Sequence, residues 1–419
     1  MDIVLNLQFN VDKIGIIFAV LGFVVFISAG IFSFEYMKHE NHHLRYTIFY
    51  LAAFAVFEAL CFAGNMITYY FLFELLTLTT FPFVLHNGSK EAIIAGLKYL
   101  FYSMCGAYMV LFGIFFTASR IPFKEGGIMT EMLSNASEPS TIKLYYVCAL
   151  LMIFGYGVKA GMFPMHAWLP TAHPVAPAPA SAVLSAIIVK AGVLGIIRSV
   201  FYVFGEDFIK GSIVQTIWMI VSLITVFMGS MLAYRENGLK KRLAYSTVSQ
   251  VSYILFGLAT FTETGFNGAI LQSVAHGIVK CGLFLVAGAI IYKTGKTKVS
   301  ELRGIGKQMP VTMVCFTVLS LSLIGIPPTG GFVSKWYLCI GSLESGVKVL
   351  GWLGPVILLI SALLTAGYLL SISMRAFFPG EDFDSENAEN MEPVKVMTIP
   401  IIVLTVLAVV ALMVPTIYF

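Results

Sequence analysis

Long apolar runs recur along nearly the whole chain, and they constrain it more than any other feature. A helix rises about 1.5 Å per residue, so about 20 consecutive apolar residues cross the hydrocarbon core of a bilayer. Windows of this kind fall at 14–34, 46–64, 66–86, 92–118, 144–172, 179–204, 212–233, 243–261, 267–292, 310–343, 351–374 and 397–417, roughly twelve spans in all. Only 11% of the 419 residues are charged and 58% are hydrophobic, against about 25% charged in a soluble domain. An all-α polytopic membrane protein is predicted, because only helices or closed barrels satisfy the backbone within lipid.

The first run is too long for the core of a signal peptide, and no small-residue cleavage pattern follows it, so it is read as a retained span. The longest polar loops, 119–143 and 375–396, are too short to bury a core of their own. Loop charge sets the expected orientation. With alternate loops assigned to opposite sides, one side carries fourteen Lys and Arg, among them Lys38, Arg235, Lys240 to Arg242 and Lys293 to Lys307. The other carries six: Lys13, Arg120, Lys124, Lys143, Lys210 and Lys348. The richer side is predicted to be cytoplasmic, with both termini outside. Topology thus accounts for the basic loops, and no nucleic-acid signal is left in them.

Spans 2–6 and 7–11 form two sets of five, and an odd number per set predicts that the second is inverted relative to the first. The corresponding division is 1–45, 46–204, 205–378 and 379–419. The helix breakers agree. Lys159 precedes Gly161 and Pro164 in the fourth member of the first set; Gly325, Pro327, Pro328, Gly330 and Gly331 precede Lys335 in the fourth member of the second. Two helices broken at matching places point to a transport path.

Few ionisable groups fall inside spans: Lys98, Lys159, Lys190, Arg198, Lys280 and Lys335, with Glu58 and Glu74. Each costs about 3 kcal/mol at a lipid-exposed helix centre, so these groups should face the bundle interior, water or a partner. Lys98 and Arg198 lie near span ends and are expected to snorkel. Lys159, Lys190, Lys280 and Lys335 lie deeper. Burial favours a lysine's neutral form and a nearby carboxylate favours its charged form, so a lysine between the two can gain and lose a proton. His276 lies one turn before Lys280 on the same face. Four such lysines on separate helices are read as a hydrophilic axis.

Other chemistries are poorly supported. His166 and His173 lack the one-turn spacing of a helical zinc site and have no completing Cys or carboxylate nearby. His39, His42 and His43 read as a solvated loop. The six cysteines lie singly in apolar segments, without the clustering that iron–sulfur ligation needs. No cofactor or metal site is expected in this chain, and no nucleophile–base constellation is visible.

YFLFELLTLTTFP, VKAGMFPMHAWLPTAHPVAPAPASA, KKRLAYSTVSQVSYILFGL, VAHGIVKCGLFLVAG and GIPPTGGFVSKW together carry a resemblance. The chain resembles the antiporter-like membrane subunits shared by respiratory complex I, Mrp-type cation/proton antiporters and energy-converting membrane-bound hydrogenases. That resemblance implies a relay in which Glu74 and Lys159 open one half-channel, Lys190, His276 and Lys280 line the middle, and Lys335 connects to the other side. It also implies a multi-pass subunit of a prokaryotic-type inner membrane that moves protons, or couples protons to sodium, beside other membrane subunits, homologous ones included. Iron–sulfur clusters would then sit in partner subunits. Glu74 comes early for such a subunit, as though about two N-terminal helices were missing; no long lateral helix follows span 12, and Glu58 has no counterpart. A non-conducting structural subunit and an autonomous antiporter are the rival readings.

Overall fold

The computed structural model describes residues 7–117, 139–380 and 389–410. Most of the expected loop at 119–143, residues 381–388 of the loop at 375–396 and the end of the last span lie outside the described residues. Among the described residues, nine helices are long and apolar enough to cross a membrane. They are α1 (Lys13–Tyr36), α2 (His43–Cys61), α3 (Met66–Val84), α4 (Lys90–Phe116), α5 (Pro139–Ala160), α7 (Ala178–Phe204), α8 (Ile213–Arg235), α10 (Glu263–Thr294) and α13 (Lys348–Phe377). The rest of the bundle comprises α6 (Leu169–Val175), α9 (Leu239–Ala259), α11 (Pro310–Ile324), α12 (Gly330–Glu344) and α14 (Lys395–Val410). Together they occupy the twelve expected segments.

The ends of these helices are capped as their sequences allow. Asp12, Asn65 and Ser89 each turn a side-chain oxygen back to a first-turn N–H, which supplies a partner to a donor that the helix itself leaves unpaired. α7 and α10 form the centre, with nearly every residue buried. Around them the outer helices show lipid-facing stripes; on α1, Ile16, Val20, Phe23, Ile27, Ile31 and Phe34 are all exposed at helical spacing.

Both expected breaks are present. After α5 the chain leaves the helix at Gly161, whose φ of +78° suits glycine. A short turn at His166–Trp168 then leads into α6. The carbonyl of Val158 accepts both the Gly161 N–H at 3.1 Å and the indole N–H of Trp168 at 2.8 Å. Between α11 and α12 the break runs through Gly325 to Thr329, with Gly325 at φ +93°. Close approach fixes Gly331: a Cβ there would stand 1.9 Å from the Ser322 carbonyl oxygen.

One expectation fails. Arg198 does not snorkel; it is buried on α7 and grips the Asp12 carboxylate with both guanidinium nitrogens, Nη2 to Oδ1 at 2.8 Å. Tyr202 donates to the same carboxylate at 2.9 Å, and Arg198 also reaches the Cys61 carbonyl at 3.2 Å. A charge six residues from the end of α7 found an inward partner at the start of α1, which is cheaper than lipid exposure. Asp12 is held below its ordinary value: burial pushes it up, but the hydrogen bond and charge of Arg198, with Gly15 N–H and Tyr202, outweigh that.

Candidate functional site

The four deep lysines sit on four different helices, and the fold buries each of them. Lys159 is 1% exposed, Lys190 and Lys280 0%, and Lys335 9%. Among the described residues none of them forms an ion pair. Neutral acceptors and aromatic rings surround them instead.

Lys159, at the end of α5, donates to Thr77 Oγ1 of α3, with the Phe73 carbonyl at 3.5 Å and the Phe73 ring centroid at 4.5 Å. Glu74 lies beside Phe73 and three residues before Thr77. Its charge acts on Lys159, yet its Oε1 is buried without a hydrogen-bond partner. The expected acid–lysine pair is therefore a neighbourhood rather than a contact. Tyr69, earlier on α3, donates to the carbonyl of Ala191 at 2.6 Å and so fastens α3 beside Lys190.

Lys190 and His276 meet directly, Nζ to Nδ1 at 2.5 Å, across the seam between α7 and α10. Lys190 lies between two π-helical stretches of α7, Leu184–Ile188 and Arg198–Phe204. Such wide turns often mark functional positions because they rotate the following side chains out of helical register. Lys280, one turn beyond His276, has other partners: Ser246 Oγ and the Leu243 carbonyl at 2.9 Å, both on α9. Lys335 donates to the carbonyls of Leu323 and Ile324 at 2.5 and 2.8 Å and lies 5.1 Å from the centroid of the Tyr253 ring. It thereby caps the C-terminal end of α11, where unpaired carbonyls and the helix dipole attract a cation.

Polar groups also line the gap between His276 and Lys335. Ser334 donates to Gln272 Oε1 at 2.6 Å, and Gln272 donates to Gln250 Oε1 at 2.9 Å. His276 Nε2, Gln250 Nε2 and Ser322 Oγ are buried there without partners. Residue type and spacing gave no sign of Gln250 or Gln272, because a single amide on an apolar helix reads as a packing residue.

Two further buried groups escaped the sequence reading. Lys240 counted as a loop charge, yet it begins α9, is largely buried and donates to the Ala176 carbonyl at 2.6 Å. His173, on α6, is completely buried and stacks on Phe284 at 4.8 Å. Near Lys240 the Glu40 carboxyl is raised by burial, with the Lys240 charge opposing. Lys98, the other residue expected to snorkel, is half-buried. No group of His, Cys, Asp or Glu among the described residues is arranged to hold a metal ion. All six cysteines are free thiols.

The chain is similar to known membrane proteins in sequence and in fold. Subunit N of the NADH-quinone oxidoreductase of Desulforudis audaxviator (strain MP104C) is 34% identical over 337 residues, 80% of this chain and 65% of that subunit. Subunit M of the enzyme from Rickettsia prowazekii (strain Madrid E) is 28% identical over 345 residues, covering 80% of this chain and 67% of the relative. The chain thus spans about two thirds of the length of these relatives. Its fold matches a chain of the Mrp complex from Dietzia sp. DQ12-45-1b, with a TM-score of 0.80, 20% identity, and coverage of 96% of this chain and 80% of the other. It also matches a chain of the membrane-bound sulfane sulfur reductase, an archaeal respiratory membrane complex, with a TM-score of 0.84, 23% identity, and coverage of 98% and 81%. Residues 63–365, from before α3 into α13, match the family described as NADH:quinone oxidoreductase/Mrp antiporter, TM, and to that family of multi-pass membrane subunits the chain belongs.

Proposed function

We propose that the chain translocates protons, alone or coupled to sodium, along the axis Glu74, Lys159, Lys190, His276, Lys280 and Lys335, as one subunit of a multisubunit membrane complex. One observation carries this reading: four buried lysines on separate helices are held only by neutral acceptors and rings. A lysine paired with a buried carboxylate is locked in its charged form, because losing the proton strands the acid. A lysine among carbonyls and hydroxyls strands no charge when it becomes neutral. It can therefore hold a proton or pass it on.

Glu74 would bias the first step, since its charge favours a protonated Lys159 and its withdrawal favours release toward Lys190. Two five-helix units, 46–204 and 205–378, would supply one broken helix each. The basic face would be cytoplasmic. Other membrane subunits, homologous ones included, would cover the apolar flanks together with lipid, and redox centres such as iron–sulfur clusters would belong to partner subunits.

The test is proton or sodium uptake into proteoliposomes holding the whole complex, measured per turnover of its driving reaction. Glu74→Gln, Lys159→Met and Lys335→Met should each impair uptake while the complex still assembles. Parental uptake in all three would favour the structural-subunit reading.

A further inference from the structure

Resting on the multisubunit reading above, we propose that the face formed by α1 and α2 seats a membrane-spanning helix of a partner subunit, and that this helix carries a lysine or arginine that pairs with Glu58. Three observations converge on this face.

The first is the carboxyl group. Glu58 is half-buried near the end of α2, and its Oε1 is buried without a hydrogen-bond partner. Among the described residues no ion pair reaches it. The second is its depth. Oε1 lies against Gly22 of α1, where a Cβ would stand 2.8 Å from it. Gly22 is the tenth residue of α1, which places it about 14 Å along that helix. Leu21, one residue earlier, packs against Gly277 beside His276: a Cβ on Gly277 would stand 3.0 Å from its methyl carbons. The Glu58 carboxyl is thus level with His276, in the hydrocarbon rather than at its edge. A carboxylate at such a depth is strongly unfavourable in lipid and is met by an opposite charge or a hydrogen-bond donor.

The third is the surface around it. On α2, Leu44, Ile48, Leu51 and Ala55 are exposed and lead to Glu58 by alternating steps of four and three residues, the spacing of a seam that accepts another helix. On α1, Ile16, Val20, Phe23 and Ile27 are exposed at the same steps. Between the two stripes, toward the basic-loop face, opens an apolar cleft of about 560 Å³ lined by Ile27, Ile31, Phe34, Leu51 and Phe54. The Tyr46 hydroxyl at its wall is also buried without a partner. A phospholipid tail would fill the cleft, but at the depth of Glu58 it offers only methylene groups. A second copy docked by a two-fold axis would set Glu58 against its own copy, like charge facing like charge. A helix with a basic residue meets both demands. Its apolar side chains enter the cleft, and its ammonium or guanidinium closes on the carboxylate while the stem of that residue lies along the apolar stripe.

The experiment is photo-cross-linking in native membranes, followed by purification through a tag on this chain. The photoreactive amino acid p-benzoylphenylalanine, in place of Leu51 or Ala55, should join the chain to one other membrane subunit. The joined peptide should map to a membrane-spanning helix with a lysine or arginine inside its apolar stretch. Glu58→Leu should lower the yield of that product about threefold to tenfold, the range for losing one polar contact between membrane helices, and Glu58→Gln should lower it less. Glu58→Lys should abolish it, and exchanging the partner's basic residue for glutamate should restore it, which packing alone would not achieve. Adducts with phospholipid only, with a second copy of this chain, or with a helix that lacks a basic residue would each overturn the proposal. So would an undiminished product in Glu58→Leu. If the Glu58 variants do not accumulate, the helix mapped from the parental carboxylate background decides alone. A chain that purifies with no other membrane subunit would instead overturn the multisubunit reading itself.

Discussion

Lys190 Nζ and His276 Nδ1 share a hydrogen bond of 2.5 Å between residues that lie 86 positions apart in the chain. One of the two must accept, so either a lysine N–H, from ammonium or amine, faces an unprotonated Nδ1, or the lone pair of the amine faces an Nδ1–H. Acting as one unit, the two should be non-additive. Lys190→Met and His276→Leu should each reduce proton uptake by about 10²-fold, the scale of losing a positioned acid–base group. The double variant should be no worse than either single one, and independent, multiplying losses would show that the two do not work together.

The Asp12–Arg198 clamp makes a different prediction, about stability. Arg198→Met strands a carboxylate that is only 19% exposed, and breaking such a pair should cost about 3 kcal/mol. Thermal unfolding of the detergent-solubilised protein measures it. Because the Asp12 carboxyl is held below its ordinary value of 3.8, the clamp contributes fully above that value and is lost as pH falls through the lower, folded one. Wild type should therefore lose melting temperature on acidification below about pH 4, and Asp12→Asn should remove that component.

At the second break the limit is space. A Cβ on Gly331 meets the backbone oxygen of Ser322, which has no flexible end to give way. Gly331→Ala should force α12 away from α11 and pull Lys335 from the Leu323 and Ile324 carbonyls. The expected loss of stability is about 1–3 kcal/mol, accompanied by loss of uptake. A variant with parental melting temperature and parental transport would mean that the two half-helices can separate freely.

Orientation can be read by labelling. Thr294, at the end of α10, and Lys210, before α8, lie on opposite faces by helix count. With the native cysteines removed, Thr294→Cys should react only from the cytoplasmic side and Lys210→Cys only from outside. The reverse pattern would invert the bundle.

The spans and their breaks were legible because both depend on local chemistry: apolar runs of membrane length, and Gly–Pro clusters that no helix tolerates. Lys159, Lys190, Lys280 and Lys335 stood out for the same reason, as charges in apolar surroundings. What could not be read was pairing. Arg198 and Asp12 are 186 residues apart, and nothing near either one names the other. Lys240 sat in a run of three basic residues that topology already explained, so its burial was hidden by an adequate simpler account. The π-helical stretches around Lys190 lie in the buried centre, and their residues are ordinary helix and strand formers that carry no local signal of them. Glu74 and Lys159 were expected as a pair, and Lys159 instead meets Thr77 and Phe73, which flank Glu74 on α3.

The cap that Lys335 places on α11 gives the second broken crossing the character of a clasp. Its grip comes from a charged donor closing on two backbone oxygens at the negative end of a half-helix, and a neutral amine grips such oxygens less strongly than an ammonium does. On the relay proposed above, a proton arriving at Lys335 would fasten the two halves of that crossing, and a proton leaving would slacken them. Passage of the ion and movement of the backbone would then be the same event, so a partner that holds α11 and α12 together from outside would arrest the flow without touching the path.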